Sequence, residues 1–141
     1  MIYSKTRNID GTYGPTLKDR YYLPKTDHGK SSINGKKHKW CINENMEYSV
    51  FEIAESPKQE LFCKENECYF SIVDNARFVL GTANERIAKF PKPQNSGDPW
   101  HGYPVLCDQV YNFPSDELLD LMVDKSIIDK TTRRRIERRK L

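Results

Sequence analysis

Between Met46 and Ile53 apolar and polar residues alternate, first as Met46-Glu47-Tyr48-Ser49-Val50 and then with Phe51 and Ile53 on the other face. That period of two is the mark of a half-buried strand, so the pattern predicts β-structure here. Ser56-Pro57-Lys58-Gln59 interrupts it. Next, Leu61-Phe62-Cys63 and Cys68-Tyr69-Phe70-Ser71-Ile72-Val73 bracket the polar stretch Lys64-Glu65-Asn66-Glu67, a loop of hairpin length. Asp74-Asn75 follows as a turn signal, because both side chains bond their own backbone and tolerate positive φ. Arg77–Leu80 and Arg86–Phe90 read as further strands, and Val105-Leu106-Cys107 with Val110-Tyr111 as a last one. Strands this close, joined by short turns, pair antiparallel.

The periodicity then changes. Pro114-Ser115-Asp116-Glu117 is a helix start: Ser115 is the N-cap, and two acids sit where the helix dipole favours anions. Leu118, Leu119, Leu121 and Met122 recur at helical spacing. Asp129 caps a second helix running towards Lys140, in which only Ile136 is apolar. The fold expected is α+β: an antiparallel sheet of four to six strands over about 46–111, followed by two C-terminal helices. Residues 1–40 are expected to be an irregular, partly ordered basic arm, because Gly and Pro punctuate them and no apolar period survives. Tyr3, Tyr13, Tyr21, Tyr22 and Leu23 are its candidates for docking on the core. Residues 41–141 are expected to form a single α+β domain.

Length and composition fit this picture. The 141 residues suffice for one domain, and 11% aromatics are too many for a disordered chain, although charged residues reach 30%. No apolar run is long enough to span a membrane, and the first residues lack the apolar stretch of a secretory signal. A cytoplasmic location with reduced thiols is therefore expected.

Charge adds a further feature. The net charge of +3 conceals a segregation: residues 1–40 hold nine Lys/Arg against three acids, 41–124 hold six against fifteen, and 125–141 hold eight against two. Two basic ends flank an acidic middle. They either fold back on it or reach an anionic partner.

Three features could carry chemistry. The first is the cluster Arg133, Arg134, Arg135, Arg138, Arg139 and Lys140. Arginine forks match phosphate oxygens, and each neutralised phosphate releases counterions. The alternatives are a solvated helix end, favoured by the dipole, or docking on the chain's own acids. No aromatic is interleaved with these arginines in the sequence, so a stacking platform is not encoded locally. The second is Asp98-Pro99-Trp100-His101-Gly102-Tyr103-Pro104, a loop stiffened by prolines that presents three rings. Trp100, His101 and Tyr103 are binding candidates. His101 with Asp98 is the one general-base pairing the sequence suggests, with no nucleophile at a diagnostic spacing. A bland reading has Trp100 and Tyr103 plugging the sheet edge. The third is the cysteines: Cys63 and Cys68 face each other across the expected hairpin and, with Cys41 and Cys107, could hold zinc. Burial as small hydrophobes is the favoured alternative, so no metal or other cofactor is expected. His28 and His38 match no ligand pattern.

The leading expectation is a non-catalytic module that contacts nucleic acid through its basic ends, with Lys36, Lys37, Lys39 and the arginine cluster on phosphates and Trp100 and Tyr103 stacking. A second is a protein-interaction module of the immunity or antitoxin kind, using the acidic sheet. A third is a small hydrolase or nuclease centred on His101.

Overall fold

The computed structural model describes residues 6–24 and 39–141; Tyr3, His28, Lys36, Lys37 and His38 lie outside them. It contains helix α1 (Glu44–Glu55), strands β1 (Phe62–Cys63), β2 (Cys68–Ser71), β3 (Ile87–Pro91) and β4 (Tyr103–Val105), then helices α2 (Asp116–Asp124) and α3 (Lys130–Glu137). The strands form one antiparallel meander, β1-β2-β3-β4. The fold is α+β, with two of its three helices C-terminal.

The expected hairpin is present with Cys63 opposite Cys68. Both C-terminal helices start where their caps predict: the Ser115 hydroxyl accepts from the Leu118 amide, and the Asp129 carboxylate accepts from the Thr132 amide at 2.7 Å. Asn75 adopts φ 54°, the left-handed turn its side chain tolerates.

The segment 46–53 is corrected: it is helical, not a strand. The buried face of α1 carries Glu47, Tyr48, Ser49, Val50, Phe51, Ala54 and Glu55. Its spacing is helical, but two of its members are carboxylic acids, while apolar Ile53 faces out. The apolar pattern picked out Tyr48, Val50 and Phe51, which are buried, but assigned them to two faces of a strand and missed the buried acids. Asn43 starts the helix by accepting from the Met46 amide at 2.9 Å. Residues 77–80 are not a strand either. Leu80 bonds through its backbone to Glu85 and Cys41, so the chain folds into a tight loop against residues 39–41. Val110–Asn112 forms a 3₁₀ turn rather than adding a strand, and the sheet spans 62–105.

The register divides the sheet's side chains between two faces. Phe62, Tyr69, Ala88, Phe90 and Pro104 share one face; Cys63, Cys68, Phe70, Ile87, Lys89 and Val105 share the other. Helix α1 covers the first through Phe51, whose ring lies 5.2 Å from that of Phe90 and 6.3 Å from that of Tyr69. The segment before α2 reaches the second face, where the Lys89 ammonium donates to the Tyr111 carbonyl at 2.6 Å. The N-terminal segment closes the end of the sandwich. Tyr22 pairs with Tyr13 and with Trp100, and its buried ring packs on Phe51 and Phe90. No helix among the described residues is long and apolar enough to cross a membrane.

Candidate functional site

The aromatic loop belongs to the core. Trp100 is only 7% exposed and packs on Phe51 and Tyr69, while the Arg20 guanidinium covers its ring at 5.2 Å. Its ring is committed to these neighbours, which removes it as a stacking residue. Tyr103 is half-buried in β4, and burial raises its phenol above the usual range. His101 is half-buried between them. The Asp98 carboxylate accepts from the Asn95 amide at 3.2 Å within its own turn.

Gly102 is required by the core rather than by a ligand. A Cβ there would stand 2.2 Å from the Phe90 ring and 2.7 Å from the Lys89 carbonyl, and the Gly102 carbonyl accepts from the Trp40 indole at 3.0 Å. Gly102→Ala should therefore destabilise the fold by about 2–3 kcal/mol, read as a lowered urea midpoint. An unchanged midpoint would show that the Phe90 ring has room to retreat.

The cysteines are free thiols. Cys63 and Cys68 are adjacent and buried, and burial pushes the Cys68 thiol up to about 12, away from the thiolate that binds zinc. Cys107 is likewise pushed up to about 12, and Cys41 is exposed. Among the described residues no group of three or more His, Cys, Asp and Glu side chains is arranged to hold a metal ion.

Some basic residues meet acids of the same chain: Arg7 pairs with Glu44, Lys18 with Glu60, Arg20 with the buried Glu55, Arg77 with Asp74, and Arg133 with both Asp120 and Glu137. Arg133 is thereby a strut between α2 and α3. Arg134, Arg135, Arg138, Arg139 and Lys140 are exposed, and no carboxylate among the described residues pairs with them. They lie at the C-terminal end of α3, whose buried side is held by Thr132 and Ile136.

The fold also supplies what the local sequence lacks. The Arg139 guanidinium sits 5.9 Å from the centre of the Phe113 ring. Two residues earlier, Tyr111 is 54% exposed in the 3₁₀ turn Val110–Asn112. Its carbonyl is fixed by Lys89, whose ammonium also lies 5.1 Å from its ring, and the Phe113 carbonyl accepts from Asn66 at 3.0 Å. Phe113, with Tyr111 two positions away, is thus a candidate that sequence adjacency misses; the long-range Arg139 and Lys89 contacts reveal the pair. By contrast, the outer side of α2 is acidic. Glu117, Asp120 and Asp124 line a cavity of about 240 Å³ against Phe62 and Lys64 of the β1–β2 hairpin.

No family model, curated protein or solved structure matches the chain.

Proposed function

We propose that this protein is a nucleic-acid-binding module whose contact surface is the basic end of α3 together with the Tyr111 turn. The observation that carries the reading is the clustering of exposed cations at the end of α3. The chain neutralises Arg7, Lys18, Arg20 and Arg133 with its own acids and leaves five neighbouring cations without a carboxylate among the described residues. The helix dipole favours cations at this end by only about 0.3–1 kcal/mol each, within the last turn. Five like charges in seven residues repel one another, and an array of phosphates relieves that repulsion. Exposed Tyr111 offers a π-face of the kind on which unpaired bases stack.

The reading is narrower than the charge pattern alone suggests. Of Lys36, Lys37 and Lys39, Lys39 alone is among the described residues, and it is exposed beside its backbone bond to Thr82. Helices α2 and α3 are joined by a short turn, but α2 does not suit a duplex-crossing helix. Its outer acids would meet phosphates with like charge. Single strands or loops approaching the end of α3 avoid that repulsion.

The test is fluorescence anisotropy with labelled single-stranded and duplex oligonucleotides of DNA and RNA. About four phosphate contacts would weaken binding roughly 10²-fold between 50 and 200 mM salt. The variant R134Q/R135Q/R138Q/R139Q should lose binding and flatten the salt slope while keeping the wild-type melt. Tyr111→Ala should weaken single strands by about tenfold and leave duplex binding nearly unchanged. Absence of binding at 50 mM salt, or full binding by the quadruple variant, overturns the reading. If a protein captured through the α2 acids survives nuclease treatment instead, the interaction-module reading takes its place.

A further inference from the structure

Lys89 stands in the middle of β3, yet it is only 7% exposed. No carboxylate among the described residues pairs with it. Its cross-strand partners, Phe70 and Tyr103, carry no charge. Burial lowers its ammonium from the usual lysine range. The ammonium is directed to the 3₁₀ turn Val110–Asn112 instead. It donates to the Tyr111 carbonyl at 2.6 Å, lies 3.5 Å from Asn112 Oδ1, and stands over the Tyr111 ring, 5.1 Å from its centre. An apolar side chain of similar length would fill the same space without the cost of burying a cation. What the lysine adds is a hold on this one turn.

The hold has two consequences for Tyr111, which is 54% exposed. Anchoring its backbone orders the residue before any ligand arrives, so less freedom is lost on binding. The buried ammonium also takes up one side of the ring and leaves the outer face to a ligand. A cation over a ring draws the π-density towards itself. The outer face is then poorer in electrons than that of an unpartnered tyrosine, and it favours the stacking partner with the largest and most electron-rich π-face. Among the bases of nucleic acids those partners are the purines. We infer that Lys89 is a positioning residue that holds Tyr111 as a one-sided platform for an unpaired purine. The inference rests on the nucleic-acid reading and narrows its ligand from any single strand to strands that offer an unpaired adenine or guanine. Lys89 touches no ligand itself and acts through Tyr111. The arginines of α3 meet phosphates whatever the base, so they supply affinity without this preference.

The experiment compares two labelled strands by anisotropy at about 50 mM salt, where phosphate contacts are strongest. One is a short oligothymidine; the other is the same strand with a single central guanine. The full-length wild type should bind the guanine-bearing strand about threefold more tightly. Lys89→Met should bind the two nearly equally and keep the wild-type salt slope, because the phosphate contacts are untouched. Combining it with Tyr111→Ala should weaken binding no further than Tyr111→Ala alone, the sign that the lysine acts through the ring. A merely structural lysine would lower the melt and leave the ratio of the two affinities at its wild-type value. Should Lys89→Met unfold, the ¹⁵N-labelled wild type replaces it: the Lys89 Nζ signal should shift further with the guanine-bearing strand than with oligothymidine. Equal shifts, equal affinities of the wild type for both strands, or a ratio that Lys89→Met preserves each overturn the inference. Binding of neither strand by the wild type removes the nucleic-acid reading itself, and the inference with it.

Discussion

Phe51→Ala is expected to cost about 3–5 kcal/mol of folding free energy, a large share of the stability of a domain this size. Phe51 is fully buried and touches rings from the N-terminal segment, the sheet and the loop before β4. Its ring lies 5.3 Å from Tyr22 of the N-terminal segment, 5.2 Å from Phe90 of β3 and 5.6 Å from Trp100 of the loop before β4. Truncation leaves a ring-sized cavity that stiff neighbours cannot collapse to fill. Ile53→Ala provides the control. In a strand, residues 51 and 53 share a face, so the two substitutions would cost similar amounts. In helix α1 they point apart, and Ile53 is 43% exposed, so its loss should stay within about 0.5 kcal/mol. Urea midpoints of the two variants decide between the geometries; equal losses would contradict the helix.

The same segment marks where the sequence is legible and where it is not. The β1–β2 hairpin and the caps Ser115 and Asp129 depend on residues within a few positions of one another, and they could be read directly. Helix α1 could not. Its buried stripe includes Glu47 and Glu55, and what makes a buried carboxylic acid tolerable there is Tyr22, Thr16 and Arg20, contributed from more than twenty residues away. The candidate site divides in the same way. The arginines at 133–140 are plain in the sequence, yet Arg133 is set apart from the rest by Asp120 on the neighbouring helix and Glu137 on its own. Trp100 carried the same ambiguity. A stiff aromatic loop looks alike whether it faces solvent or fills a core, and the partners that settle it are Phe51 and Tyr69. Phe113 came to the basic end through tertiary structure, since 26 positions separate it from Arg139.

Glu47 should make the stability of the protein fall as pH rises. Its carboxyl is buried on α1, where it accepts from the Tyr22 hydroxyl at 3.0 Å. Burial pushes it up to about 8 from an ordinary 4.5; the Tyr22 bond opposes that shift, and the nearby Glu44 carboxylate adds to it. Glu44 is itself paired with Arg7, so little positive charge remains to stabilise an ionised Glu47. The folded chain thus holds a proton here that the unfolded chain releases near 4.5. Below that pH both states are protonated and the group costs nothing. Between about 4.5 and 8 the folded state binds more protons, so stability declines as pH rises, and above about 8 the loss is complete. Its full extent is on the order of 3–5 kcal/mol. Glu47→Gln retains an acceptor for Tyr22 and has no charge to bury. It should match the wild type near pH 5, exceed it by several kcal/mol at pH 8, and show no slope from this site between them. Urea denaturation at pH 5, 6, 7 and 8 gives both curves. Parallel curves would mean that Glu47 ionises in the folded state as readily as in water, and that the pocket beneath Tyr22 is wetter than its burial implies.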